Sequence, residues 1–252
     1  MRTIPPALLT GLLAFAAAPP MLADGHWPAP VRALADQGLD IHAEFAAPGG
    51  LTGYAASAQG RELAIYVTAD GEHAVVGTLV DAAGNDLSSE PLDEHVRSAR
   101  DAEAWERLER SHWILDGDPT APRVLYTFTD PNCPYCRRLW HEARPWIDAG
   151  EVQLRHIMVG ILAQDSPAKA AALLGADDPA TALHEHKSGT SIAPSAQPRE
   201  IEEQVYTNNQ LFEEFGLIAT PTTLARDDGR LVRVQGMPDD GQLVELMGSV
   251  AP

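Results

Sequence analysis

Both cysteines of this chain of 252 residues fall within one tetrapeptide, Cys133-Pro134-Tyr135-Cys136, and that placement narrows the fold more than any other feature. The run before it, Arg123 to Thr129 (RVLYTFT), is β-branched and aromatic and reads as a strand. A helical segment follows from about Cys133 to Asp148, interrupted near Pro145, and Val152 to Val159 (VQLRHIMV) reads as the next strand. Strand, crossover helix and strand in that order form a parallel βαβ unit, with the cysteines where the first strand ends and its helix begins. Amides at a helix N-terminus stabilise anions, so Cys133 is expected to hold a favoured thiolate and act as nucleophile. Cys136, one turn further in and more buried, is then expected to resolve the mixed disulfide.

Two other readings of the pair compete. A zinc half-site needs two further ligands, and His141, His156, His184 and His186 show neither a second Cys-x-x-Cys nor ligand-like spacing. No metal and no other cofactor is therefore expected. An inert structural disulfide is the second reading, although so short a loop restrains little of the unfolded chain. His184 and His186 read as part of a solvated helix face, and Arg137 and Arg138 as solvated charges that add some positive potential beside the cysteines.

Past the βαβ unit, helical segments are expected around Ser166 to Leu174, Pro179 to His186 and Arg199 to Phe215. Thr222 to Leu224, the turn Asp227-Asp228-Gly229 and Leu231 to Gln235 read as a hairpin, and Asp239 to Val250 as a closing helix. Upstream, residues 24–88 read as a small β-rich unit, with a short helix over Val31 to Gly38 and a hairpin joining Leu63–Thr68 to His73–Val80 through Asp70-Gly71. A unit of that size buries little apolar surface alone, and pairing with a second copy is the common remedy. Residues 89 to about 115 are charged and nearly free of glycine, with Leu92, Val96, Ala99, Trp105 and Leu108 at roughly helical spacing, and read as a linker helix ended by Asp116-Gly117-Asp118-Pro119.

The N-terminus carries Arg2, an apolar run from Ala7 to Ala18 and small residues up to Ala23, the order of a secretory signal. Its apolar run is shorter than the roughly 20 residues a membrane-spanning helix needs. The expected division is a signal peptide over 1–23, an N-terminal dimerisation domain over 24–88, a linker helix over 89–118 and a catalytic domain over 119–252. Acids outnumber Lys and Arg, 36 to 18, for a formal charge of −18. That field repels nucleic acid and anionic membrane surfaces, and with 6% aromatic residues favours folded, polar protein clients.

Cys-Pro-Tyr-Cys after a strand marks the thioredoxin superfamily. The wider pattern is more specific: Ala47-Pro48-Gly49-Gly50-Leu51-Thr52-Gly53-Tyr54, Ser111-His112-Trp113-Ile114-Leu115-Asp116-Gly117, Asp130-Pro131-Asn132 before the cysteines, Ala143-Arg144-Pro145-Trp146 and Gly236-Met237-Pro238-Asp239. Together these resemble the DsbC/DsbG family of periplasmic disulfide isomerases, on its DsbG side. The resemblance implies a thioredoxin fold with an inserted helical subdomain, preceded by a small α+β, cystatin-like dimerisation domain. It also implies that Thr220-Pro221 forms a cis-proline loop abutting the sulfurs, although the sequence alone would give Pro221 an ordinary trans bond. The implied activity is that of a periplasmic homodimer, kept reduced by a DsbD-like membrane reductase, that reduces sulfenylated cysteines and reduces or isomerises disulfides of client proteins, with chaperone-like binding. The alternatives are a dithiol oxidase that introduces disulfides and a redox-silent chaperone.

Overall fold

The structure, a computed structural model, describes residues 27–252. The expected signal peptide lies outside the described residues, as does the start of the N-terminal domain. The chain divides into two compact units, meeting in sequence at Asp86 and Leu87.

In the first unit a short helix, α1 (Ala29–Ala35), leads into an antiparallel sheet of four strands in sequence order: β1 (Asp40–Ala46), β2 (Thr52–Ala58), β3 (Arg61–Val67) and β4 (Ala74–Val76). The hairpin around Asp70-Gly71 forms as the sequence indicates. Thr68 Oγ1 donates to the Asp70 carboxylate at 2.5 Å, and Gly71 takes a left-handed φ of 73° that closes the turn. The structure adds β1 and β2 to this hairpin: β1 alternates polar and apolar residues as a half-buried strand does, whereas the alanine-rich β2 carries little β signal. Gly53 is required there because the Phe45 ring lies where a Cβ would stand. One small core of Trp27, Val31, Tyr54, Ala56, Ile65 and Val67 holds the unit, while Val75 and Val76 on edge strand β4 remain exposed, at 66% and 43%.

The second unit opens with a helical run composed of α2 (Ser89–Leu92), a π-helical turn (Asp93–Arg97) and α3 (Ser98–Glu109). The expected linker helix ends sooner than its charge pattern indicates. Trp113–Asp116 is a strand, β5, pairing antiparallel with β7 (Val152–Met158). Its apolar residues are consecutive rather than helically spaced, Ile114 is 2% exposed, and Asn208 holds both the amide and the carbonyl of His112. Sheet pairing thus satisfies a backbone that a continued helix would have carried away from the core.

The sheet runs β5-β7-β6-β8-β9, with β6 (Arg123–Thr129) parallel to β7 and β8 (Thr222–Asp227) and β9 (Arg230–Gln235) as an antiparallel hairpin. Alternation along β6 supplies both faces. Leu125 meets α4 (Pro134–Glu142), α5 (Arg144–Asp148) and α9 (Asp240–Met247) through Leu139, Ile147 and Leu246, whereas Tyr126 and Phe128 meet α3 and α8 (Arg199–Glu214) through Trp105 and Phe212. Each such side chain contributes about 1.5–3 kcal/mol by leaving water. A third cluster, including Met158, Leu173, Leu183 and Val205, packs the inserted helices α6 (Ser166–Leu174) and α7 (Pro179–Ser188) onto α8 and the sheet edge. The break expected near Pro145 falls at Ala143, since a proline in the first turn of α5 needs a new helix start before it.

Candidate functional site

The site grows from the end of β6. Asp130, fully buried, accepts from the Asn132 amide (2.8 Å) and Ser166 hydroxyl (2.9 Å) on one oxygen, and from the Ile161 (2.8 Å) and Leu162 (2.9 Å) amides on the other. One carboxylate thereby ties the cysteine loop to the segment after β7 and to the start of α6. The Cys133 amide donates to the Asp130 carbonyl at 3.1 Å, which turns the chain into α4. Cys133 then stands at the helix N-cap in an extended conformation, with Pro134 in the first turn where a missing N–H is harmless. Its sulfur accepts from the Cys136 amide at 3.1 Å, the bond a capping serine or aspartate would ordinarily make.

The expected site residues do converge. As a thiol, Cys133 donates to the Thr220 carbonyl at 3.2 Å, although 87 positions separate them in sequence. The Thr220-Pro221 bond is cis, and the Thr220 hydroxyl is buried beside it with no hydrogen-bond partner. Both cysteines are free and buried, Cys133 at 4% and Cys136 at 1%, while Pro134 and Tyr135 are exposed. The two thiols separate in acidity. That of Cys133 falls to about 6, chiefly because the Cys136 thiol donates to it, with the Thr220 side chain, the Cys136 amide and the Lys187 charge adding to this against the opposing effect of burial. Burial, followed by the neighbouring Cys133 sulfur, holds the Cys136 thiol well above the ordinary range.

A cleft of about 280 Å³ opens beside Cys133, bordered by Asn132, Arg137, Lys169 and His186 among others. Lys169 donates to Asn132 Oδ1 at 2.8 Å and pairs with Asp165 at 2.9 Å. His186 departs from the sequence reading. It is 5% exposed rather than solvated, with Nε2 2.8 Å from the Pro131 carbonyl, and burial lowers its pKa. His184 is exposed as expected, and so are Arg137 and Arg138, the latter paired with Glu142 at 2.7 Å. Asp130 enters the sequence pattern only as part of the family motif, and nothing in the sequence reading singles out Lys169 or the fully buried Lys187, although one signal is present: the chain has only two lysines. Exposed apolar side chains also come from the segments that meet here, namely Tyr135, Ile161, Leu162 and Ile218. The surroundings of the site thus offer exposed apolar side chains beside the polar and basic ones that line the cleft. Among the described residues no three His, Cys, Asp or Glu side chains converge as a metal site, and no helix is long and apolar enough to cross a membrane.

A Cys-x-x-Cys pair capping the first helix of a thioredoxin-type sheet, opposite a cis-proline loop, defines a thiol:disulfide oxidoreductase of the thioredoxin class. A family model described as a thioredoxin-like domain matches residues 118–251. The thiol:disulfide interchange protein DsbG of Pseudomonas aeruginosa is 47% identical over 226 residues, 88% of each chain. DsbG of Escherichia coli is 36% identical over 247 residues, 96% of this chain and all of that one. Among solved structures, the thiol-disulfide exchange protein alpha-DsbA2 of Wolbachia pipientis shares the fold at a TM-score of 0.50 and 14% identity, over 61% of this chain and 95% of that one. The chain belongs to the DsbC/DsbG family of thiol:disulfide interchange proteins, on its DsbG side.

Proposed function

We propose that this chain works in its reduced dithiol form as a periplasmic homodimer, with Cys133 as nucleophile, Cys136 as resolving thiol, and Thr220 and Pro221 presenting backbone to the client. The observation that carries this reading is the capped Cys133 sulfur, which accepts from the Cys136 amide at 3.1 Å at the head of α4. A thiolate held there attacks an oxidised client sulfur. Against a disulfide it forms a mixed disulfide and expels a client thiolate; against a sulfenic acid it forms the same bond and releases water. Cys136 then attacks Cys133, freeing the client as a thiol and leaving a Cys133–Cys136 disulfide, which a DsbD-like membrane reductase is the proposed partner to reduce. The exposed apolar side chains of Tyr135, Ile161, Leu162 and Ile218 support binding of client chains, and with it disulfide isomerisation and chaperone-like activity alongside sulfenic-acid reduction.

Self-association is assigned to the first unit, which has one small core and an edge strand bearing exposed Val75 and Val76. The proposed domain limits remain a dimerisation domain over 24–88 and a catalytic domain over 119–252, with β5 of the intervening segment belonging to the catalytic sheet. Secretion follows from the expected signal over 1–23.

The Cys136→Ala variant tests the roles. It is expected to accumulate client mixed disulfides through Cys133, resolved by reductant and seen on non-reducing gels and by mass. Failure to form any adduct would sink the assignment of Cys133 as nucleophile. Redox state in cells, trapped by alkylation, separates the alternatives: a mostly oxidised pair favours the dithiol oxidase, and full activity in a cysteine-free variant favours the redox-silent chaperone.

A further inference from the structure

Lys187 is the most deeply buried cation near the sulfurs, and the roles proposed above leave it without a task. It is 1% exposed and stands in the last turn of α7, and among the described residues its side chain makes no hydrogen bond. Its place is fixed by its neighbour: His186 meets the Pro131 carbonyl at 2.8 Å, and the His186 carbonyl accepts from Arg137 of α4 at 3.5 Å. The end of α7 is thereby held against the cysteine loop. An ammonium buried without hydrogen bonds is costly unless an anion compensates it.

The charged and titratable groups around it are Asp130, Cys133, Cys136, Arg137, His156 and its own neighbour His186. Asp130 is engaged by four donors. His156 sits between Thr129 Oγ1 at 3.3 Å and the Asp116 carboxylate at 3.5 Å, and burial lowers its pKa. Arg137 is exposed and repels Lys187, and His186 is spent on Pro131. Asp130 keeps its charge beneath those neutral donors and acts on Lys187 as a fixed anion, so the two sulfurs are the only anions among these groups whose charge changes during turnover. Burial lowers the Lys187 pKa, and Cys136 followed by Cys133 works against that fall.

We infer that Lys187 is a shared counter-charge that follows the thiolate from Cys133 to Cys136 during turnover. The inference rests on the proposed roles of the two thiols. In the dithiol state the ammonium compensates the Cys133 thiolate. Once Cys133 is bonded to a client sulfur that anion is gone, and the ammonium, left with the fixed charge of Asp130 alone, favours ionisation of Cys136. The Cys136 proton leaves to solvent, its sulfur attacks Cys133 Sγ, the Cys133–client bond breaks, and the departing client thiolate takes up a proton. Lys187 is thus a positioning residue acting through charge, and it speeds resolution only after capture has occurred.

Reaction of the reduced protein with 5,5′-dithiobis(2-nitrobenzoate) separates the steps, since capture by Cys133 releases one coloured thiolate and resolution by Cys136 a second. In Lys187→Met, which keeps side-chain length without charge, the second phase is expected to slow by about tenfold or more at pH 7 and its pH midpoint to rise, as the loss of a nearby buried charge requires. The first phase should change less. A second phase with unchanged rate and midpoint overturns the inference, whereas absence of the first phase in the native protein overturns the thiol roles instead. A measurement on an unsubstituted lysine guards against a misfolded variant. With two lysines in the chain, Nζ-labelled Cys136→Ala protein gives two resonances, and capping Cys133 as a methyl disulfide should lower the pH at which Lys187 titrates. An unchanged Lys187 titration after capping also overturns the inference.

Discussion

The acidity of Cys133 is where the geometry of the site becomes a number. With the thiol at about 6 instead of its ordinary 9.0, about nine in ten molecules carry the thiolate at pH 7, against about one in a hundred for an unperturbed cysteine. Alkylation by iodoacetamide should therefore slow only about tenfold between pH 7 and pH 5, where an ordinary thiol would slow about a hundredfold. The Thr220 side chain contributes to this shift. Thr220→Val, which keeps shape and removes the hydroxyl, is expected to raise the midpoint by up to about one unit, worth about 1.4 kcal/mol, since that hydroxyl stands beside the sulfur without a formed hydrogen bond. Stability carries the same signature. A thiol depressed in the folded state stabilises it fully above the unfolded value of 9.0, and this contribution is lost as pH falls through about 6. The oxidised protein lacks that contribution, so the stability of the reduced form relative to the oxidised form should grow from pH 6 to pH 9. Thermal unfolding of both forms across that range, beside the alkylation profile, is the assay. A single alkylation midpoint near 9 in the native protein, or a stability gap independent of pH, would refute the account of Cys133.

Three further outcomes follow from other parts of the molecule. Val75→Lys, placing a charge on the exposed edge of β4, should weaken self-association by at least about tenfold in sedimentation while leaving the alkylation rate of Cys133 unchanged; an undisturbed dimer places the interface elsewhere. Leu162→Ser with Ile218→Ser should raise the KM for a protein client several-fold and leave reaction with a small disulfide unaltered, because both residues belong to the exposed apolar surroundings of the site rather than to the sulfurs; equal loss on both substrates contradicts that division. Gly117→Ala should destabilise the second unit by about 1–3 kcal/mol in denaturant unfolding. Its φ is 105°, and a Cβ would stand 2.9 Å from Ile147 Cγ2 and 3.0 Å from the Val152 carbonyl.

Cys133 illustrates how acidity and access are set separately. Cys133 is 4% exposed, yet its acidity rises because the groups covering its sulfur include donors, the Cys136 thiol and the Cys136 amide. Cys136 is covered too, but burial dominates there and keeps its proton on. Two cysteines three residues apart thus acquire opposite tendencies from the same helix terminus. In the proposed roles, the first is ready to attack at neutral pH and the second is withheld until a mixed disulfide has formed.

What the amino-acid sequence determines by itself is whatever depends on neighbours along the chain. Cys133 with Pro134 behind it starts a helix from local backbone rules, and β6, buried on both faces, reads as a strand because nearly every position from Arg123 to Thr129 favours one. Likewise α6 begins and ends at Ser166 and Leu174, where the apolar periodicity and Gly175 place it. Thr220 and Pro221 were reached through family resemblance alone, since nothing local ties residues 87 positions downstream to Cys133. Tertiary structure decided the rest. Trp113–Asp116 follows the need of β7 for a partner rather than the charged helical pattern before it. His186 and Lys187 sit in a segment whose polarity reads as solvated, and they are buried because the inserted helices fold back over the cysteine loop. Helical periodicity reports how polar a face is, but only the packing of distant segments determines whether that face meets water or a pair of sulfurs, and hence which charges a thiolate can use.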